Sequence, residues 1–149
     1  MKLLIVEDGQ YKSERVVEYI ETTFDSFEIS IACSYSTGVK FIVEERPEIV
    51  ILDMSLPTFD EVNGQGGGDK RMYGGLDIAR QIQRRKINSS FLFLTQHESF
   101  TENPKLGKRS DIDRMAKETY AELYLGYIYY EHNGFKWKDE LKDILSSYA

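Results

Sequence analysis

The feature that most constrains this chain is a set of short apolar runs that each stop on an oxygen-bearing side chain. Leu3-Leu4-Ile5-Val6 stops at Glu7-Asp8, Ile49-Val50-Ile51-Leu52 at Asp53, and Phe91-Leu92-Phe93-Leu94 at Thr95. Such runs are too short for helices and carry no polar alternation. They suit strands buried on both faces of a parallel sheet, whose crossover connections cover it with helices. Their polar ends then gather at one rim, the carboxyl edge, where sites of open α/β sheets lie.

The segments between the runs carry helical periodicity. Residues 11–24 place Val16, Val17, Ile20 and Phe24 at helical spacing with charges between them. A second strand is expected over 28–33, and a second helix over 37–45 that ends before Pro47. Residues 57–75 hold Gly64, Gly66, Gly67, Gly68, Gly74 and Gly75, which reads as a long flexible loop, within 54–75 overall. The helical pattern resumes at Leu76, Ala79 and Ile82 and closes near Arg84-Arg85-Lys86.

Residues 96–110 read as a second long polar loop. Ser110 or Asp111 is placed to cap a helix that carries Ile112, Met115, Ala116, Thr119, Tyr120 and Leu123. A fifth strand is expected over 125–130. After the turn signal Asn133-Gly134 comes a helix with the stripe Trp137, Leu141, Ile144, Leu145 and Tyr148. A β-α unit repeated in this way gives an α/β fold with a doubly wound five-stranded parallel sheet, in one domain spanning 1–149.

The net charge is -6, which disfavours non-specific contact with nucleic acid or an anionic membrane. One cysteine, Cys33, permits no internal disulfide, and no run reaches membrane-spanning length. The expectation is a cytoplasmic protein. The aliphatic and aromatic content, with 10 Tyr and 8 Phe, argues for a packed globule.

If the first, third and fourth strands are neighbours, Glu7, Asp8 and Asp53 meet Thr95 at the rim. Carboxylates that close raise one another's pKa values, and a bound divalent cation such as Mg²⁺ relieves the conflict. A carboxylate also serves as a nucleophile toward a phosphoryl donor. Gly66-Gly67-Gly68 has neither P-loop nor dinucleotide spacing and reads as a linker. His97 and His132 read as surface polar residues, and the basic runs at 84–86 and 105–109 as solvated faces.

The three strand signatures, with Pro57 four residues past Asp53, resemble those of response-regulator receiver domains. The resemblance covers nearly the whole chain and implies the flavodoxin-like, receiver-type fold. It implies that Asp53 is the phosphoacceptor. It implies Mg²⁺ held by Asp8 and Asp53, with Glu7 acting mainly through water and Ser55 supplying a backbone carbonyl. By the same resemblance Thr95 is the hydroxyl that contacts the phosphoryl group and Tyr127 is the switch aromatic of the fifth strand.

The implied function is that of a stand-alone receiver, not an enzyme beyond its own phosphorylation. It would take a phosphoryl group from a histidine kinase or phosphotransfer protein and signal to a downstream protein target. A metal-dependent phosphohydrolase is disfavoured, because Ser55 stands where a second catalytic acid is needed.

One position departs from the family. Tyr130 stands where a lysine is expected at the end of the fifth strand, and Glu131 where proline usually follows. A phenol donates a hydrogen bond but brings no positive charge. Lys136, Lys138 and Lys70 are the candidates for a cation reaching in from a loop. The departure and the two long loops keep an alternative open: a pseudo-receiver, an interaction module not regulated by phosphorylation. The tyrosines Tyr120, Tyr124, Tyr127, Tyr129 and Tyr130 suggest a contact face, with about half of them expected in the core.

Overall fold

The computed structural model describes residues 1–62, 65–96 and 109–149. Five parallel strands form one sheet: β1 (Lys2–Val6), β2 (Glu28–Ala32), β3 (Ile49–Leu52), β8 (Ser90–Thr95) and β9 (Tyr124–Tyr129). Their spatial order is β2-β1-β3-β8-β9, so the chain reverses direction across the sheet between β1 and β3. This is the flavodoxin-like, receiver-type arrangement. The helices are α1 (Gln10–Thr23), α2 (Tyr35–Glu45), α3 (Gly74–Arg84), α4 (Arg109–Tyr120) and α5 (Lys136–Leu145).

Each central strand is buried on both sides because helices cover both faces. Leu4, Val6, Val50, Leu52, Phe91 and Phe93 point into one cluster with α2, α3 and α4. Leu3, Ile5, Ile49, Ile51, Leu92 and Leu94 point into the other, with α1 and α5. This alternation is the period of a strand, and the absence of polar residues on either face follows from it. On α1 the buried line Lys12, Val16, Ile20 runs at four-residue spacing toward the carboxyl rim.

Local signals set the helix ends. The Ser34 hydroxyl caps α2 by accepting from the Thr37 N–H at 3.2 Å, and Arg46 closes the helix in a left-handed conformation ahead of Pro47. Helix α4 is already under way at Arg109. Asp111 therefore lies inside the first turn, paired with Arg114 at 3.1 Å, and is not the cap.

The glycine-rich stretch is not a structureless loop. β4 (Leu56–Pro57) pairs with β7 (Lys70–Arg71), and β5 (Glu61–Val62) pairs with β6 (Gln65–Gly66), both antiparallel. Thr58 N–H donates to Asp69 O at 3.1 Å and Phe59 N–H to Gly67 O at 2.9 Å, which continues the pairing between the two ladders. Gly66, Gly67 and Gly68 have φ of 98°, 85° and 65°, a region that favours glycine. The extension leans on α2, where Ser36 N–H donates to Thr58 O at 3.0 Å and Thr37 Oγ1 to Asp60 Oδ1 at 2.9 Å.

The tyrosines are core to a greater extent than expected. Tyr120, Tyr124, Tyr127 and Tyr130 are all buried. Helices cover both faces of the sheet, so tyrosines pointing either way are buried, and a bulge at Leu125, between the pairs Phe91–Tyr124 and Leu92–Gly126, sets their faces. It puts Tyr124 and Tyr127 on the same face, with ring centroids 5.8 Å from Phe93 in each case. Ile128 and Tyr130 then fall on the opposite face.

Candidate functional site

The rim at the ends of β1 and β3 brings Glu7, Asp8 and Asp53 together, with one carboxylate oxygen from each within 4.8 Å of the others. The topology causes this. β1 and β3 are hydrogen-bonded neighbours in the register Val6–Leu52, and the Asp53 N–H donates to Val6 O at 3.1 Å. The next residues of both strands are thereby held side by side. Glu7 is buried, Asp53 is partly buried and Asp8 is exposed.

Asp53 is fixed by its own surroundings. Its Oδ1 accepts from the Met54 N–H at 2.8 Å. The first turn of α3 presses on its main chain, where Gly75 N–H donates to Met54 O at 2.9 Å. A Cβ on Gly75 would stand 2.4 Å from the Asp53 carbonyl oxygen, so only glycine fits there. Ser55, two residues on, is buried beside this turn.

Lys12 completes the cluster. Its Nζ lies 2.6 Å from Glu7 Oε1 and 3.4 Å from Asp53 Oδ1, and it donates to the Leu94 carbonyl at 2.6 Å. The side chain is only 8% exposed. The Tyr130 ring lies beneath the ammonium, 5.3 Å away. Despite its short ion pair, Glu7 Oε1 has no aligned hydrogen bond, while Oε2 accepts from the Gly9 N–H at 2.9 Å. Burial pushes the Glu7 carboxyl up to about 7; the Lys12 ammonium pulls it down, and the Asp53 carboxylate pushes it up.

The donor set fits a hard divalent cation. It offers three carboxylates at the ends of adjacent strands, whose mutual repulsion a cation would relieve. Glu7, Asp8 and Asp53 are the side chains that would hold it.

The other expected site residues lie close by in the fold. Thr95 ends β8, wholly buried, and its carbonyl accepts from the Tyr130 N–H at 2.8 Å. Tyr127 turns inward against Phe93 and is not a member of the carboxylate cluster. Tyr130 does not present its phenol as a simple replacement for the expected lysine. Its oxygen accepts from Arg15 Nη1 at 2.9 Å, and its ring packs 5.2 Å from Trp137.

Of the lysines expected to reach in, Lys138 lies over Tyr19, Phe135 and Trp137, Lys70 belongs to β7, and Lys136 is exposed at the start of α5. The cation comes from α1 instead. Its signal was present in the sequence: Lys12 precedes Val16 and Ile20 by four and eight residues and so shares their buried stripe. His132 is exposed, and its carbonyl accepts from Arg15. His97 lies outside the described residues.

This strand order, with an acidic rim at the carboxyl edge, is shared with response-regulator receiver domains: the chain has the receiver-type fold. Among individual proteins it is similar to the Detocs response regulatory protein DtcB of Vibrio alginolyticus. The two are 28% identical over 148 residues, which cover 97% of this chain and 99% of that one.

Solved structures share the fold. The signal receiver domain of a putative Luxo repressor protein from Vibrio parahaemolyticus superposes with a TM-score of 0.69 at 20% identity, covering 98% of this chain and 87% of that one. The Mn²⁺-bound response regulator Rcp1 superposes at 0.65 with 19% identity, covering 99% and 93%. No family model matches the chain. Among the described residues, no helix is long and apolar enough to cross a membrane.

Proposed function

We propose that this chain is a receiver that accepts a phosphoryl group onto Asp53 and signals through protein contacts. The observation that carries the reading is the convergence of Glu7, Asp8 and Asp53 at the carboxyl rim, with a buried ammonium against two of them. The donor would be a phosphohistidine on a histidine kinase or phosphotransfer protein. An Asp53 carboxylate oxygen attacks phosphorus, the P–N bond breaks, and its electron pair leaves on the imidazole nitrogen.

A bound divalent cation such as Mg²⁺ supplies positive charge against the transferring phosphoryl oxygens. Asp8 and Asp53 would hold it directly, Ser55 through its backbone carbonyl and Glu7 mainly through water. Met54 N–H, bonded to Asp53 Oδ1, orients the nucleophile. Thr95 would donate its hydroxyl to a phosphoryl oxygen, and Tyr127 would respond to that movement. The phosphate-independent alternative drew on the lack of a cation at position 130 and on the two long loops; Lys12 bears on the first of these, since it places an ammonium against Glu7 and Asp53.

The test is incubation of the whole chain with acetyl phosphate and Mg²⁺, then with a phosphohistidine donor, followed by intact-mass analysis. We expect one added phosphoryl group that is absent in Asp53→Asn and in EDTA. No Asp53-dependent adduct from either donor would sink the reading.

A further inference from the structure

We propose that Lys12 is the phosphoryl-pairing cation of this site, delivered by helix α1 and not by the sheet. The inference rests on the reading of Asp53 as phosphoacceptor. Lys12 Nζ has three protons to donate and three oxygens around it: Leu94 O at 2.6 Å, Glu7 Oε1 at 2.6 Å and Asp53 Oδ1 at 3.4 Å. The first is a main-chain carbonyl of β8, an interior strand of the sheet. The Asp53 contact is the longest, and it faces the oxygen set that a phosphoryl group would enlarge.

Burying an ammonium is costly unless its partners are fixed, and here the fold fixes them. Lys12 takes the rim end of a helical stripe continued by Val16 and Ile20, where an apolar residue would otherwise pack. Tyr130 supplies the floor: its ring lies 5.3 Å below Nζ, and Arg15 holds its phenol at 2.9 Å. An aromatic at position 130 and a lysine at position 12 therefore form one arrangement. Opposing this is a second role for the same geometry: Lys12 as a built-in counter-ion that occupies the place of the metal and leaves it when metal binds.

The experiment is a titration of the full chain with Mg²⁺ alone and then with Mg²⁺ and beryllofluoride, read from the amide spectrum. Wild type, Lys12→Gln and Lys12→Arg are compared. We expect Lys12→Gln to weaken beryllofluoride binding by about tenfold or more, as loss of a charge-assisted hydrogen bond implies. Its Mg²⁺ affinity should not fall, and Lys12→Arg should recover part of the loss.

Should Lys12→Gln fail to fold, the nitrogen-15 ammonium signal of Lys12 in wild type, assigned by its absence in Lys12→Arg, decides. It should shift on beryllofluoride beyond any shift from Mg²⁺ alone. Unchanged beryllofluoride affinity in Lys12→Gln, or an ammonium signal that responds to Mg²⁺ only, would overturn the proposal. Wild type that binds Mg²⁺ but never beryllofluoride would overturn the phosphoacceptor reading itself.

Discussion

At Gly75 the lack of a side chain is required by contact, because the missing Cβ would stand 2.4 Å from the Asp53 carbonyl oxygen and 3.2 Å from the Phe93 ring. Backbone atoms give little, so Gly75→Ala should cost about 1–3 kcal/mol of stability. Urea unfolding of the variant against wild type measures this, and a cost within error would show that α3 shifts freely. Tyr120 gives a prediction of a different kind. Burial pushes its phenol above the ordinary 10.0. The neutral ring is the form the fold favours, so its contribution is complete below about pH 10 and is lost as pH climbs through the raised folded value. Tyr120→Phe should therefore flatten the alkaline decline of the urea midpoint, and an unchanged slope would refute this. Residue-scale reading of the sequence singled out the strand-end carboxylates that the structure gathers at the rim, Glu7, Asp8 and Asp53. It missed Lys12, because a charged residue on an amphipathic helix is ordinarily assigned to the solvent side, and only the line through Val16 and Ile20 says otherwise.

Among the elements, the paired extension after β3 was the least legible in the sequence. Its ladders are two residues long and hold Pro57, Lys70, Arg71, Glu61 and Gly66, so neither apolar alternation nor β-branched content marks them. The long parallel strands were legible for the opposite reason, since burial on both faces leaves no room for polar residues. Arg71 ties the extension to the helices: its guanidinium stacks 4.0 Å over the Tyr35 ring and pairs with Asp77 at 3.4 Å. We expect Arg71→Ala to cost about 1 kcal/mol and to speed hydrogen exchange at the Thr58 and Phe59 amides, which β-ladder bonds protect. Exchange unchanged at those amides would mean that the extension holds without Arg71. The bulge at Leu125 had no sequence marker beyond Gly126, whose φ of 151° suits glycine, and it moves Tyr124 onto the face that Tyr127 shares.

For the whole molecule, the proposed ion would link stability to the rim. An ion that binds the folded chain and not the unfolded one adds RT ln(1 + [L]/Kd), or about 2.7 kcal/mol at a hundredfold excess over Kd. Mg²⁺ should thus raise the melting temperature of wild type and have little effect on Asp53→Asn, as checked by thermal unfolding with and without EDTA. Equal rises in both would place the ion elsewhere. The rim also straddles the sheet: Phe93 and Tyr127 lie on one face, while Leu94, Tyr130 and Trp137 lie on the other. Trp137 is the single tryptophan of the chain, wholly buried, with its ring 5.2 Å from Tyr130, which in turn lies 5.3 Å from the Lys12 ammonium. The protein thus carries the parts of an optical gauge: a change of charge at the acidic rim should reach, two side chains away, a lone indole whose emission can be followed without any label.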